Sequence, residues 1–211
     1  MNEISVKIEL AQAIIFDLGG VVVDLDISRT IQAFEKIGLS SLTRQIGAGH
    51  HQGILARLEK GLISVDEFFN DIRLLSGNRP TVAEIESAWN AMLVQLPAVR
   101  VLFLEKLKAE KPIILLSNTN SVHHRYFDGM AEGYSSLSHL FDKVWYSYQM
   151  NLSKPDPAIF SHLLDFHGLH PENVLFVDDS NVNIEAAAKL GMVTWHVKEG
   201  YGIDDFVHQQ Q

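Results

Sequence analysis

The feature that most narrows the fold is a recurrence of short Ile, Val and Leu runs with helical segments between them. They are Ala13 to Phe16, Ile113 to Ser117, Val144 to Ser147, Val174 to Asp178 and Val193 to Val197. Each run is continuous rather than alternating, the pattern of a strand covered on both faces. Each also stops within a few residues at polar or turn residues, which argues against a buried helix. The sequence therefore reads as α/β, with a mainly parallel sheet layered between helices. At 211 residues and 46% hydrophobic content the chain can bury one good-sized core.

Between Val23 and Ile113 the pattern changes to helices only, which reads as an insert. Ser64 with Glu67 precedes Phe68, Phe69, Ile72 and Leu75, and Thr81 with Glu84 precedes Ile85, Ala88, Trp89 and Met92. Both pairs have the spacing of a capping box ahead of an apolar helical stripe. The expectation is two antiparallel helices joined by a turn at Gly77, Asn78, Arg79 and Pro80. Pro97 should then close the insert before a helix carrying Val101, Leu104 and Leu107. This divides the chain into a core of residues 1–27 and 96–211 and an inserted helical unit of residues 28–95. The terminal Gln209, Gln210 and Gln211 read as a frayed end.

Composition excludes several functions. With 17 basic and 26 acidic residues, a net charge of −9, the chain has no extended basic surface for a phosphate backbone, so nucleic acid is not an expected partner. The absence of cysteine removes disulfides, thiolate metal sites and thiol nucleophiles together. Asp17 interrupts the only long apolar run, so neither an export signal nor a membrane span is expected, and the expected location is cytoplasmic. The oligomeric state is not legible.

Three of the five runs end in polar clusters: Asp17, then Ser117-Asn118-Thr119-Asn120, then Asp178-Asp179-Ser180. A parallel sheet brings its carboxyl ends to one edge, where open α/β sheets bind ligands. That edge would hold three carboxylates, a hydroxyl and several amides, a composition suited to Mg²⁺ and phosphate. Gly19 and Gly20 turn the chain directly after Asp17.

In order along the chain, Phe16-Asp17-Leu18-Gly19, Leu116-Ser117-Asn118, Lys154-Pro155-Asp156-Pro157 and Val177-Asp178-Asp179-Ser180 running to Asn183 resemble the four motifs of the haloacid dehalogenase-like (HAD) hydrolases. The likeness is greatest to the branch containing the alpha-D-glucose-1-phosphate phosphatases and the phosphatase domain of soluble epoxide hydrolase. The resemblance implies a Rossmann-like core with a small helical cap, and Mg²⁺-dependent hydrolysis of a small phosphorylated metabolite such as a sugar phosphate. It implies Asp17 as a nucleophile that is transiently phosphorylated. Asp17, the carbonyl of Gly19 and Asp178 would be the metal ligands. Ser117, the amide of Asn118 and Lys154 would bind the phosphoryl group, Lys154 also restraining Asp17. Asp179 would act on the metal through a water, and Asn183 would either reach the ligand or cap its helix.

The family's second aspartate, two residues after the nucleophile, is Gly19 here. General acid–base help is typically worth about 10²–10⁴-fold, so its loss leaves three readings. Another group substitutes, the leaving group needs little help, or the pocket binds phosphate without much turnover. An anomeric phosphate is a good enough leaving group to fit the second. A dehalogenase is a further alternative, disfavoured by paired acids where a halide would leave. Asp24 and Asp26 are the nearest extra carboxylates, although Asp26 or Ser28 equally suits a helix start. His50-His51 and His123-His124 are adjacent pairs whose side chains diverge on a helix, so they read as solvated or supporting rather than metal-binding. In the insert, His51, Arg57, Glu59, Phe68 and Trp89 face either the pocket or the apolar seam.

Overall fold

The computed structural model describes residues 3–47, 53–77, 79–198 and 202–204. In chain order the elements begin α1 (Glu3–Leu10), β1 (Ala13–Phe16), β2 (Asp24–Leu25), α2 (Ile27–Lys36), α3 (Ser40–Gly47), α4 (Gly53–Glu59), α5 (Val65–Leu75), α6 (Val82–Asn90) and β3 (Leu93–Gln95). They continue with α7 (Ala98–Glu110), β4 (Ile113–Ser117), α8 (Ser121–Phe127), β5 (Lys143–Tyr146), α9 (Ser147–Met150), α10 (Pro157–His167), β6 (Val174–Asp178), α11 (Asn181–Lys189) and β7 (Val193–His196).

The five expected runs form one sheet in the order β5-β4-β1-β6-β7, with every pair parallel. Strand side chains alternate between faces, and the two faces have separate cores. Ile14, Phe16, Ile113, Leu115, Leu175 and Val177 pack with α7 and α8, whereas Ile15, Ile114, Leu116, Val174 and Phe176 pack with α10 and α11. Burial on both sides explains why these strands are continuous apolar runs. Phe16 is in register with Leu115 of β4 and with Val177 of β6, so Asp17, Ser117 and Asp178 reach the same sheet edge.

The region between Val23 and Ile113 differs from the expectation of helices only. β2 and β3 pair as an antiparallel ribbon, Asp24 with Gln95 and Leu25 with Leu93, with an irregularity between Asp24 and Leu25. Strands of two and three residues, each with one polar position, are too short to produce a visible apolar run. Among the described residues five helices, rather than the two expected, lie between the ribbon's strands. Most of their buried apolar residues, including Phe34, Phe68, Phe69 and Trp89, belong to the same cluster as the α7 face of the sheet. Phe34 stacks on Trp89 at 6.1 Å between centroids, and Phe68 meets it at 6.3 Å.

Both capping boxes are formed. Ser64 Oγ accepts from the Glu67 amide at 3.2 Å while Glu67 accepts from the Ser64 amide at 2.8 Å; Thr81 and Glu84 repeat this at 3.2 and 2.7 Å. Pro97 precedes α7 as expected, and Val101, Leu104 and Leu107 are buried. Asn78, His50, His51 and Gln209 to Gln211 lie outside the described residues. No helix of the described residues is long and apolar enough to cross a membrane.

Arg100, on α7, is buried beneath the turn that follows β1. Its guanidinium donates to Val22 O at 3.0 Å, pairs with Asp24 at 2.7 Å, and grips both oxygens of Asp204 at 2.8 and 2.9 Å. Asp24 also accepts from Gln95 at 3.0 Å, so the ribbon is fixed to the core at its root.

Loss of one capping box should be felt locally. Ser64→Ala is expected to cost about 1 kcal/mol and lower the midpoint of thermal unfolding by about 2–4 °C. Calorimetry on the two proteins checks this; an unchanged midpoint would mean the box contributes nothing.

Candidate active site

The first carboxylate is placed by the sheet itself. The Asp17 amide donates to Val177 O at 2.8 Å, so its backbone is still bound to β6. The chain then turns at once, with Val22 and Val23 donating to Leu18 O at 2.8 Å and Gly20 donating to Val23 O at 2.9 Å. Gly20 has φ +73°, and a Cβ there would lie 2.1 Å from Asp179 Oδ2. Only glycine allows both that conformation and that approach. A Cβ on Gly19 would fall 2.5 Å from Leu25 Cδ1, so the ribbon's Leu25 covers this position.

Lys154 comes from the loop between α9 and α10 and is almost wholly buried. Its Nζ donates to Asp17 Oδ1 and to Asp178 Oδ2, each at 2.7 Å. Asn118 holds the lysine's main chain from both sides: its Oδ1 accepts from Lys154 N at 2.9 Å and its Nδ2 donates to Lys154 O at 2.8 Å. Asp178 is fully buried at the end of β6. Its Oδ1 accepts from the Ser180 amide at 2.8 Å, and Asn183 Nδ2 lies 3.1 Å from both of its oxygens. Asn183 therefore neither caps α11 nor is spent elsewhere; it orients Asp178.

Oxygens of Asp17, Asp178 and Asp179 all lie within 4.8 Å of one another. One lysine does not balance three acids in a buried site. Burial pushes the Asp17 carboxyl up to about 7; Lys154 opposes the rise and Asp178 and Asp179 add to it. Burial, then Asp178, pushes Asp179 up to about 6. For Lys154, burial disfavours the charge, but Asp17 and Asp178 outweigh it and hold the ammonium above its ordinary range. The donor set is all oxygen and carries surplus negative charge, so it fits a hard divalent cation such as Mg²⁺.

The sheet edge thus brings together Asp17, Lys154, Asp178, Asp179 and Asn183, with Asn118 behind Lys154, Gly19 in the adjoining turn and Ser117 buried at the end of β4. Asp24 and Asp26 are engaged elsewhere: Asp24 pairs with Arg100, and Asp26 caps α2 by accepting from Ser28 N at 3.0 Å. His123 is not solvated. It is buried against Trp89 at 4.5 Å, with its Nε2 3.2 Å from Trp89 O, while His124 Nδ1 meets Tyr148 Oη at 2.8 Å. Phe68 and Trp89 lie in the seam, Arg57 is exposed, and Glu59 borders a cavity of about 290 Å³ that also touches Asn118 and Lys154. The grip of the Asn118 side chain on Lys154 had no sequence signal, because its partner is 36 residues away.

Asp17 binds a proton more tightly in the folded, metal-free protein than in the unfolded chain, because its pKa is raised from 3.8. That stabilisation is complete below about pH 4 and is lost as pH rises through about 7. Asp17→Asn keeps the shape without the ionisation. It should leave the metal-free protein about 1–2 kcal/mol more stable than the wild type at pH 8 and close to it at pH 4. Unfolding temperatures in chelator that run parallel across this range would contradict the charge imbalance.

Comparison with known proteins bears on this geometry. The haloacid dehalogenase-like hydrolase family matches residues 11–191. D-ribitol-5-phosphate phosphatase of Bacteroides thetaiotaomicron is 33% identical over 190 residues, covering 89% of this chain and 92% of that protein. Bifunctional epoxide hydrolase 2 of Mus musculus is 39% identical over 67 residues, 32% of this chain and 12% of that protein. A crystal structure of a HAD family enzyme from Bacteroides thetaiotaomicron, wild-type and in complex with magnesium and inorganic phosphate, is similar with a TM-score of 0.83. It is 35% identical, with 90% of this chain and 96% of that chain covered. The family match contains every site residue from Asp17 to Asn183, and the chain therefore belongs to the haloacid dehalogenase-like hydrolases.

Proposed function

We propose that this chain is a Mg²⁺-dependent phosphatase that hydrolyses a small phosphorylated metabolite, a sugar or polyol phosphate, through an aspartyl-phosphate on Asp17. The observation that carries the reading is the Lys154 ammonium held between Asp17 and Asp178 at 2.7 Å from each, beside a third carboxylate. Similarity to a ribitol-5-phosphate phosphatase supports a polyol or sugar phosphate as the class.

Phosphoryl transfer needs positioning and charge neutralisation more than covalent assistance. Lys154 fixes one Asp17 oxygen, leaving the other to attack phosphorus. The new Asp17 O–P bond forms as the ester P–O bond breaks, and the departing oxygen takes its proton from solvent water, since Gly19 has none to give. Water then adds to phosphorus, the acyl phosphate bond breaks, and inorganic phosphate and the Asp17 carboxylate are released. Ser117, the Asn118 amide and Lys154 are suited to donate to the phosphoryl oxygens. Mg²⁺ would be held by Asp17, the Gly19 carbonyl and Asp178, with Asp179 behind them, and when bound would neutralise charge on the transferring group. Asn183 and the Ser180 amide keep Asp178 oriented. The helical segment of residues 28–95 acts as the cap that selects the leaving group and excludes water. Three clustered acids disfavour dehalogenation, in which an anion must depart. A pocket that only binds phosphate is separated from an enzyme by turnover.

Phosphate release from p-nitrophenyl phosphate and from a panel including ribitol-5-phosphate, glucose-1-phosphate and glucose-6-phosphate, with Mg²⁺ and with chelator, tests the reading. Metal-dependent release is expected, with glucose-1-phosphate ahead of glucose-6-phosphate if Gly19 restricts the site to good leaving groups. No metal-dependent release from any compound would reject the function. Asp17→Asn should lower turnover by about three orders of magnitude or more. Asp178→Asn should raise the Mg²⁺ concentration for half-maximal rate by about 10–100-fold; unaltered rates in both variants would remove these roles.

A further inference from the structure

We infer that Ser147 is a positioning residue that couples the phosphate-binding loop after β4 to the docking of the helical segment above it. The inference rests on the phosphatase reading.

Ser147 opens α9 at the end of β5 and is completely buried. Its Oγ accepts from the Thr119 amide at 2.9 Å, two residues beyond Ser117. It also lies 2.7 Å from Glu59 O, at the end of α4, and 3.0 Å from Thr119 O. A hydroxyl has one proton to give. With the Thr119 N–H already on its oxygen, Ser147 donates either outward to Glu59 O or inward to Thr119 O. The shorter distance assigns the proton to Glu59 in the docked arrangement. If α4 lifts away, the proton can turn to Thr119 O without leaving a buried donor unpaired, which would otherwise cost about 1–3 kcal/mol. One side chain therefore has two satisfied arrangements, and the position of α4 chooses between them.

The surroundings agree. Asn151 Nδ2 donates to Lys60 O at 2.8 Å, and Gly61, at φ +63°, brings the corner after α4 so close that a Cβ would sit 2.1 Å from Tyr148 O. The cavity of about 290 Å³ at this junction is walled by Glu59 and Lys60 on one side and by Asn118 and Lys154 on the other. It is bounded only when the two parts are docked. Phosphate held by Ser117 and Asn118 would steady Thr119, hence the Ser147 oxygen and its bond to Glu59. By linkage, docking of α4 would tighten phosphate binding by the same factor.

Hydrogen exchange on the whole protein, with Mg²⁺ and inorganic phosphate as the probe, tests this. In the wild type, phosphate should slow exchange in peptides spanning residues 55–62 by about five-fold or more. Ser147→Ala should abolish that protection and weaken phosphate inhibition by a similar factor, with turnover at saturating substrate less affected than KM. Asn151→Gly, which suits the left-handed backbone at this position and removes the Lys60 contact while leaving Ser147 in place, is the second variant. It should loosen docking and weaken phosphate inhibition too. Protection that survives in Ser147→Ala, or phosphate inhibition unchanged in Asn151→Gly, would overturn the coupling. So would a wild type that turns over substrate without phosphate-dependent protection, a result that leaves the phosphatase reading standing. Absence of both turnover and phosphate binding in the wild type would sink the two together.

Discussion

A single ammonium group, Lys154 Nζ, sits almost wholly buried between two carboxylates at 2.7 Å from each. Most of the surrounding structure follows from making that arrangement tolerable. Burying a charge is expensive unless it is paired and hydrogen-bonded, and this site buries more acids than it has bases to answer them. Each participant is accordingly held by more than one contact. Asp17 remains in the backbone ladder of the sheet, Asp178 is oriented by Ser180 and Asn183, and Lys154 is clamped along its main chain by Asn118. The residual negative charge is what fits the site to a hard cation.

The sheet supplies the rigidity this requires. Because β1 lies between β4 and β6 and all three are buried on both faces, their carboxyl ends cannot move independently. The helices inserted between β2 and β3 share the apolar cluster of one sheet face, so they are packed onto the same framework. Arg100 adds a polar tie at the root of the ribbon, joining the turn after β1, the ribbon and Asp204.

Much of this was legible in the sequence, for reasons that can be named. Strands covered on both faces leave continuous runs of Ile, Val and Leu, and the charged residues that end them stand out by contrast. The capping boxes at Ser64 and Thr81 are local, so their spacing was sufficient. The ribbon was missed because Asp24-Leu25 and Leu93 to Gln95 are too brief and too polar to carry a period. The number of inserted helices was missed because their burial depends on Trp89 and its neighbours, not on local pattern. Whether His123 is solvated or supporting was open in the sequence because only the fold brings Trp89 over it. Asn118 and Ser147 escaped notice as supports because each acts on a partner remote in sequence, Lys154 and Glu59 respectively.

The contact between Gly20 and Asp179 has a wider consequence. With φ +73° and no room for a methyl group, the turn after Asp17 and the acid beside β6 occupy adjoining space as one surface. Any larger residue at 20 would push the Asp179 carboxylate outward and dilute the negative field at its centre. The strength of that field is thus set partly by an atom the chain omits, and the electrostatics of the pocket and the shape of its backbone are constrained to vary together.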